Sequence, residues 1–300
     1  MLWQRNDFVF GKVIFTIQAR NITITIDRDQ KTIVEDLSFT VSDGAKVALI
    51  GEEGNGKSTL LKWLYDPALV EGYAAVTGSA SIPGTKGYLA QELPMTEREM
   101  SVYAYLSAHC REDALVPKAL SRAMKDVNLP FDLAYSDQQM GTLSGGERVK
   151  LALAALLLND CDVLLLDEPS NDLDLDTLAW LEGFLRSVKK TVLYISHDEV
   201  LLSRTAEAVI HLEMVRRKKI PRAAMANIPY DAYMRRRDAA FQHQAQVAQF
   251  EQKAFREKKE RYLAIYNAVD HAQDTISRRD PSTGRLLKKK MHTVMSIGRR

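Results

Sequence analysis

Two stretches of the chain have residue types and spacings suited to phosphate chemistry. Gly51-Glu52-Glu53-Gly54-Asn55-Gly56-Lys57-Ser58, followed by Thr59, fits G-x-x-x-x-G-K-[ST] between an apolar strand and a helix. Glycines let backbone N–H groups turn inward around phosphate oxygens, and a helix N-terminus adds positive potential. Lys57 is placed to reach terminal phosphates, and the Ser58 hydroxyl to ligate Mg²⁺. The alternative, a Gly-rich turn with an exposed lysine, does not need the flanking strand and helix. In the second stretch, Val163-Leu164-Leu165-Leu166-Asp167-Glu168, an apolar strand ends in two acids. That puts carboxylates at a strand's C-terminal edge, where ligands gather in open α/β sheets. Asp167 would hold Mg²⁺, directly or through water, and Glu168 would polarise an attacking water as general base.

The surrounding pattern supplies elements to position these groups. Val13–Ile17, Asn21–Ile26 and Leu37–Val41 alternate apolar and polar residues and predict strands. Lys46–Ile50, Gly72–Ser81 and Lys86–Gln91 predict further strands, and a helix follows Ser58. From Glu92 to Met140 the pattern turns helical and acidic, broken at Pro94, Pro117 and Pro130. A helix from Gly146 to about Asn159, the strand Val163–Leu166, a helix over Thr177–Ser187 and the strand Thr191–Ser196 come next. A last βα unit ends near Glu213. Strand–helix alternation after residue 45 predicts an α/β sheet with parallel strands, flanked by the opening strands as an antiparallel sheet.

Composition narrows the class. The net charge of +2 is the sum of opposed parts: residues 1–213 have 20 Lys+Arg against 31 Asp+Glu, and residues 214–300 have 21 against 8. The balances, −11 and +13, suggest a boundary near Met214 and an anionic partner for the C-terminal part. The longest apolar run, Leu151–Leu158, is far short of the roughly 18–20 residues of a membrane helix. Polar residues 4–7 interrupt any signal-peptide core. Cys110 and Cys161 have no CxxC spacing and read as small buried side chains in a reducing, cytoplasmic setting.

Leu143-Ser144-Gly145-Gly146-Glu147 joins the first two motifs, and together they resemble the signature of ATP-binding cassette proteins. The resemblance implies a P-loop cassette with a helical subdomain at about 92–155, and ATP and Mg²⁺ as ligands. It also implies that Gln91 touches the metal and attacking water. His197 is then the switch histidine, and Ser170-Asn171-Asp172-Leu173-Asp174 the loop that couples two cassettes. Such cassettes work in head-to-tail pairs, so the 143–147 signature would act on nucleotide held by a second cassette. One position departs from the family: Arg28 or Asp27 falls where an aromatic residue usually stacks on adenine. The guanidinium could stack instead, and weaker base selectivity is the other outcome.

Past Met214 the texture changes. Residues 214–229 read as a basic connector, and residues 230–300 as a helical hairpin. No Gly or Pro interrupts Tyr230–Arg278, a first arm about 70 Å long at 1.5 Å per residue. Asp280–Gly284 predicts the turn and Leu286–Ile297 the return. A soluble cassette running into a basic hairpin resembles the ABC-F subfamily of translation-associated ATPases, some of which protect ribosomes from antibiotics. In that family two cassettes flank the linker, whose tip enters the ribosome. The resemblance implies ribosomal RNA contacts at Arg278, Arg279, Arg285, Lys288, Lys289 and Lys290, and no stable membrane partner. Tyr230, Tyr233, Tyr262 and Tyr266 suit either stacking on bases or core packing. Only 51 residues separate Gln91 from Leu143, which leaves no room for an extra arm. The chain holds one phosphate loop, so a second cassette is expected from a longer polypeptide or from self-pairing. The rival readings are a transporter ATPase subunit, a chromosome-associated cassette and a non-catalytic RNA-binding module.

Overall fold

The computed structural model describes residues 16–215 and 220–279. The chain divides into two compact units after Met234.

The first unit opens with β1 (Ile17–Ile26) and β2 (Lys31–Val41), then β3 (Lys46–Ile50), α1 (Lys57–Tyr65), β4 (Ala74–Ser81) and β5 (Lys86–Leu89). A helical stretch follows with α2 (Met95–Arg98), α3 (Val102–His109), α4 (Pro117–Asp126) and α5 (Gly145–Leu158). The α/β pattern resumes in β6 (Val163–Leu166), α6 (Leu175–Ser187), β7 (Thr191–Ile195), α7 (Glu199–Thr205) and β8 (Ala208–Met214). Last come β9 (Ile220–Ala226) and α8 (Tyr230–Arg279).

The strands form two sheets. An antiparallel three-stranded sheet has the order β2-β1-β4, and a six-stranded sheet the order β5-β6-β7-β3-β8-β9. Strands β5 to β8 run parallel, as crossover helices require, and β9 returns antiparallel on β8. The fold is therefore α/β, with a mixed sheet, an antiparallel flank and a helical subdomain.

Both faces of the larger sheet are covered, which explains the unbroken apolar runs of its strands. Alternate residues serve different cores. Val163, Leu165, Leu193 and Ile195 pack with α1 and the antiparallel sheet. Leu164, Leu166, Val192 and Tyr194 pack with α5, α6 and the helical subdomain. A one-residue slip in β6 would exchange these sets and displace the acids that follow.

Some elements differ from the sequence pattern. The predicted strands before Ile26 are, in their described part, one strand. Asn21 interrupts its register at a positive φ of 51°. Its backbone N–H donates to Ser38 Oγ (2.9 Å) and its amide to Asp36 Oδ1 (2.6 Å). Residues 220–226 do not merely connect: they pair with β8, Met214 opposite Pro221. The edge position tolerates a proline without an N–H, and Ala223 and Met225 pack against the core beside α1.

The start of α8 is anchored in the first unit. Tyr230 is buried, and Tyr233 and Met234 pack beside it. Tyr233 Oη lies 2.7 Å from His211 Nδ1, and Ser203 Oγ donates to Asp231 Oδ2 at 2.8 Å. Of the two roles open to the first two tyrosines, packing is the observed one. In the second unit α8 continues as an exposed helix, with Phe241, Phe250, Phe255 and Tyr262 open to solvent. Arg278 and Arg279 fall in its last turn. The predicted turn, the returning helix, and Arg285 and Lys288–Lys290 lie outside the described residues.

At the start of α5 the 143–147 motif builds structure. Ser144 caps the helix: its Oγ accepts from Glu147 N–H (3.2 Å) while Glu147 Oε2 accepts from the Ser144 N–H (2.9 Å) and hydroxyl (2.8 Å). The Ser144 hydroxyl, then its N–H, holds the Glu147 carboxyl below the ordinary range. A depressed folded-state value means stabilisation present above the ordinary glutamate range and lost as pH falls through the folded value. Ser144→Ala should therefore cost about 1 kcal/mol near neutral pH in urea unfolding, and the gap from wild type should narrow in acid.

Candidate nucleotide site

The loop between β3 and α1 forms one wall of a cavity of about 470 Å³ at the C-terminal edge of the parallel strands. Close approach fixes the loop's shape. Gly51 has φ +147°, and a Cβ there would lie 2.1 Å from the Leu212 carbonyl oxygen. Gly56 has φ +85° and a Cβ would sit 2.6 Å from Ile33 Cδ1. Neither position admits a side chain. Asn55 is buried, and its amide donates to that same Leu212 carbonyl at 3.1 Å, tying the loop to β8.

Lys57 opens α1 with its ammonium turned into the loop, donating to the carbonyls of Gly51 (2.8 Å) and Glu52 (3.0 Å). Burial lowers its pKa, against the opposing pull of Glu168, Glu53 and Asp167. An ammonium held by carbonyl oxygens and poorly solvated gains from a nearby polyanion. Ser58, one residue on, donates its hydroxyl to Asp167 Oδ1 at 2.9 Å.

Asp167 is 1% exposed. Its N–H donates to the Leu89 carbonyl at 2.9 Å, which continues the β5–β6 ladder past the strand end. Burial pushes its carboxyl above the ordinary range, opposed by hydrogen bonds from Ser58 and Tyr88. A buried carboxylate is costly without a compensating cation. The donors gathered here are hard oxygens: the Ser58 hydroxyl, the Asp167 carboxylate and the nearby Gln91 amide. They fit Mg²⁺, which is bound by one or two carboxylates plus substrate phosphates and not by an all-protein cage.

Glu168 follows at a positive φ of 50°. The left-handed backbone turns its side chain off the strand and into reach of three polar groups. Gln91 Nε2 donates to its Oε2 at 3.3 Å, Asn171 Nδ2 donates to the same oxygen, and His197 Nε2 lies 3.6 Å from Oε1. Gln91 comes from the end of β5, Asn171 from the 170–174 loop and His197 from the end of β7. Two separate strand ends and the 170–174 loop thus converge on one carboxylate.

The signature residues sit elsewhere. None of Leu143–Glu147 lines the cavity. A Cβ on Gly145 would lie 2.9 Å from the Asp172 carbonyl oxygen, and one on Gly146 2.7 Å from Thr177 Oγ1. The motif is thus packed against the 170–174 loop and the start of α6. In that loop Ser170 and Ser196 hydroxyls are 2.9 Å apart, and Asp174 caps α6 by accepting from Thr177 N–H at 2.7 Å.

Some cavity residues have no motif to mark them. Ile26 and Ile33 line it beside the phosphate loop, while Asp27 and Arg28 occupy the turn between β1 and β2. Asn171, read from the sequence as part of a coupling loop, also faces the cavity. For the isoleucines the available signal is only strand periodicity.

Residues 34–171 match the family model described as "ABC transporter". The tylosin resistance ATP-binding protein TlrC of Streptomyces fradiae is 33% identical over 229 residues, covering 63% of this chain and 41% of that protein. The ribosome protection protein VmlR of Bacillus subtilis is 33% identical over 195 residues, covering 64% of this chain and 33% of that protein. The matched region therefore spans about two fifths or less of these relatives' length. Among solved structures, a dimeric post-hydrolysis state of the ATP-binding cassette MJ0796 bound to ADP and Pi superposes with a TM-score of 0.55. That match has 19% identity over 67% of this chain and 97% of the other, a likeness of fold. Over residues 34–171, a little under half its length, the chain is therefore similar to the ABC transporter family, and TlrC and VmlR, the curated relatives it resembles here, are ABC-F proteins.

Proposed function

We propose that the chain binds ATP with Mg²⁺, hydrolyses it in company with a second cassette, and uses the nucleotide cycle to act on the ribosome. One observation supports the hydrolytic reading above others: the Glu168 carboxylate, steadied by Gln91, Asn171 and His197, stands beside the Lys57–Ser58–Asp167 group. In this reading the phosphate-loop N–H groups and Lys57 bind the phosphates, and Ser58, Asp167 and Gln91 hold Mg²⁺. Bound Mg²⁺ would neutralise charge on the terminal phosphates. Glu168 would orient and deprotonate the attacking water, and His197 would hold the terminal phosphate. The signature packs away from the chain's own cavity, and that supports a role on nucleotide held by a second cassette.

The ribosomal part of the reading draws on the relatives' names and on charge. Within α8, ten Lys+Arg stand against seven Asp+Glu, a modest excess. The basic surplus of the C-terminal part gathers instead in residues 216–219 and 285–300. Charge concentrated in short segments suits contacts with RNA phosphates, which release counterions and depend steeply on salt. No helix among the described residues is long and apolar enough to cross a membrane. Action in the cytoplasm, where ribosomes are met, belongs to the same proposal.

Removal of the general base should slow hydrolysis by about 100-fold or more while leaving nucleotide binding intact. Glu168→Gln should accordingly retain ATP and co-sediment with ribosomes in ATP but not in ADP. A variant that hydrolyses ATP at the wild-type rate would remove Glu168 from the mechanism, and one that never co-sediments would remove the ribosome. Replacing Arg285, Lys288, Lys289 and Lys290 together by Gln should flatten the log–log salt dependence of RNA binding by about 3. An unaltered slope would show these charges to be a solvated face.

A further inference from the structure

The Ser58–Asp167 pair has a third member that no motif includes. Tyr88 lies in β5, directly opposite Leu165 in the parallel ladder, and its hydroxyl donates to Asp167 Oδ2 at 3.1 Å. Ser58 occupies the other oxygen, Oδ1. The carboxylate is thus held at both ends by hydroxyl donors, one from each neighbouring element. Ser58 would exchange its donor role for metal ligation when a cation arrives, whereas Tyr88 has no such alternative.

The ring is itself held. Tyr88 stacks on Tyr65, with centroids 5.3 Å apart and planes at 25°. Tyr65 is the last residue of α1, the helix that begins with Lys57 and Ser58. Lys86, on the same face of β5, donates to the Leu64 carbonyl at 3.3 Å and to the Tyr65 carbonyl, and its ammonium lies 5.8 Å from the Tyr65 ring centroid. Lys86 therefore caps the C-terminal end of α1, where free carbonyls favour a cation. Two residues of one short strand grip the far end of the phosphate-loop helix, and one of them also grips the acidic strand end. Three residues after Tyr88, the chain reaches Gln91.

We propose that Tyr88 is a positioning residue for the divalent cation: its hydroxyl pins Asp167 Oδ2 so that Oδ1 stays turned to the Ser58 hydroxyl. The proposal rests on the ATP–Mg²⁺ reading above. Outer hydrogen-bond partners of this kind orient a ligand carboxylate, and their loss costs roughly 10-fold or more in metal affinity. Tyr88 touches neither nucleotide nor metal in this scheme and acts through Asp167.

The test compares wild type and Tyr88→Phe in the whole chain, with a fluorescent ATP analogue titrated in EDTA and then against Mg²⁺ at fixed nucleotide. Phenylalanine keeps the ring and its stack on Tyr65 and deletes only the hydroxyl. The expected result is unchanged analogue affinity in EDTA and a rise of about 10-fold in the Mg²⁺ concentration giving half-maximal enhancement. An unchanged Mg²⁺ dependence would overturn the proposal and leave the nucleotide reading standing. An equal loss with and without Mg²⁺ would also overturn it, because it would mark Tyr88 as a packing residue alone. A wild-type chain that binds no analogue under either condition would overturn both.

Discussion

A carboxylate buried at the end of an apolar strand sets the terms for the rest of this molecule. Asp167 is almost wholly removed from water, and burial raises its pKa even with two hydroxyl donors in place. Such a group is a standing cost to folding unless a cation shares the site. The fold tolerates it because its neighbours are fixed by other means. Ser58 is delivered by α1, Tyr88 by β5, and the strand itself is locked between two cores by its alternating leucines. Stability is given up at a buried charged position, a common arrangement at functional sites.

The same constraint explains how distant parts of the chain meet. The parallel strands β5, β6 and β7 end at one edge, so Gln91, Asp167, Glu168 and His197 become neighbours although more than a hundred residues separate the first from the last. Leu212, at the matching end of β8, accepts from Asn55 of the phosphate loop, while His211 beside it meets Tyr233 of the long helix. The base of α8 is therefore built on the strand that also supports the phosphate loop, within a single compact unit.

Much of this was legible in residue order, for physical reasons. The phosphate loop is defined by glycines whose missing Cβ atoms make room for the Leu212 carbonyl and Ile33, so its spacing is nearly obligatory. The acidic strand end is legible because four successive apolar residues bury both faces. What escaped has no such signature. Ile26 and Ile33 look like ordinary strand residues, and only the folding-over of the antiparallel sheet brings them to the cavity. Residues 220–226 contain a proline and three alanines, a weak strand pattern that pairs because β8 offers an open edge. Tyr88 reads as a half-buried strand residue until β5 and β6 are set in register. The convergence of Asn171 on Glu168 depends on the left-handed turn at Glu168, which its residue type does not announce.

In the proposed function Lys57, Ser58, Asp167 and Glu168 frame a single site for Mg²⁺ and ATP on this chain. The decisive experiment is calorimetric titration of Mg²⁺–ATP into wild type and Lys57→Ala. The expected result is one nucleotide per chain for wild type, and an affinity loss of about 2 kcal/mol or more when the buried ammonium is removed. Equal affinity in the two proteins, or no binding to wild type, would contradict it.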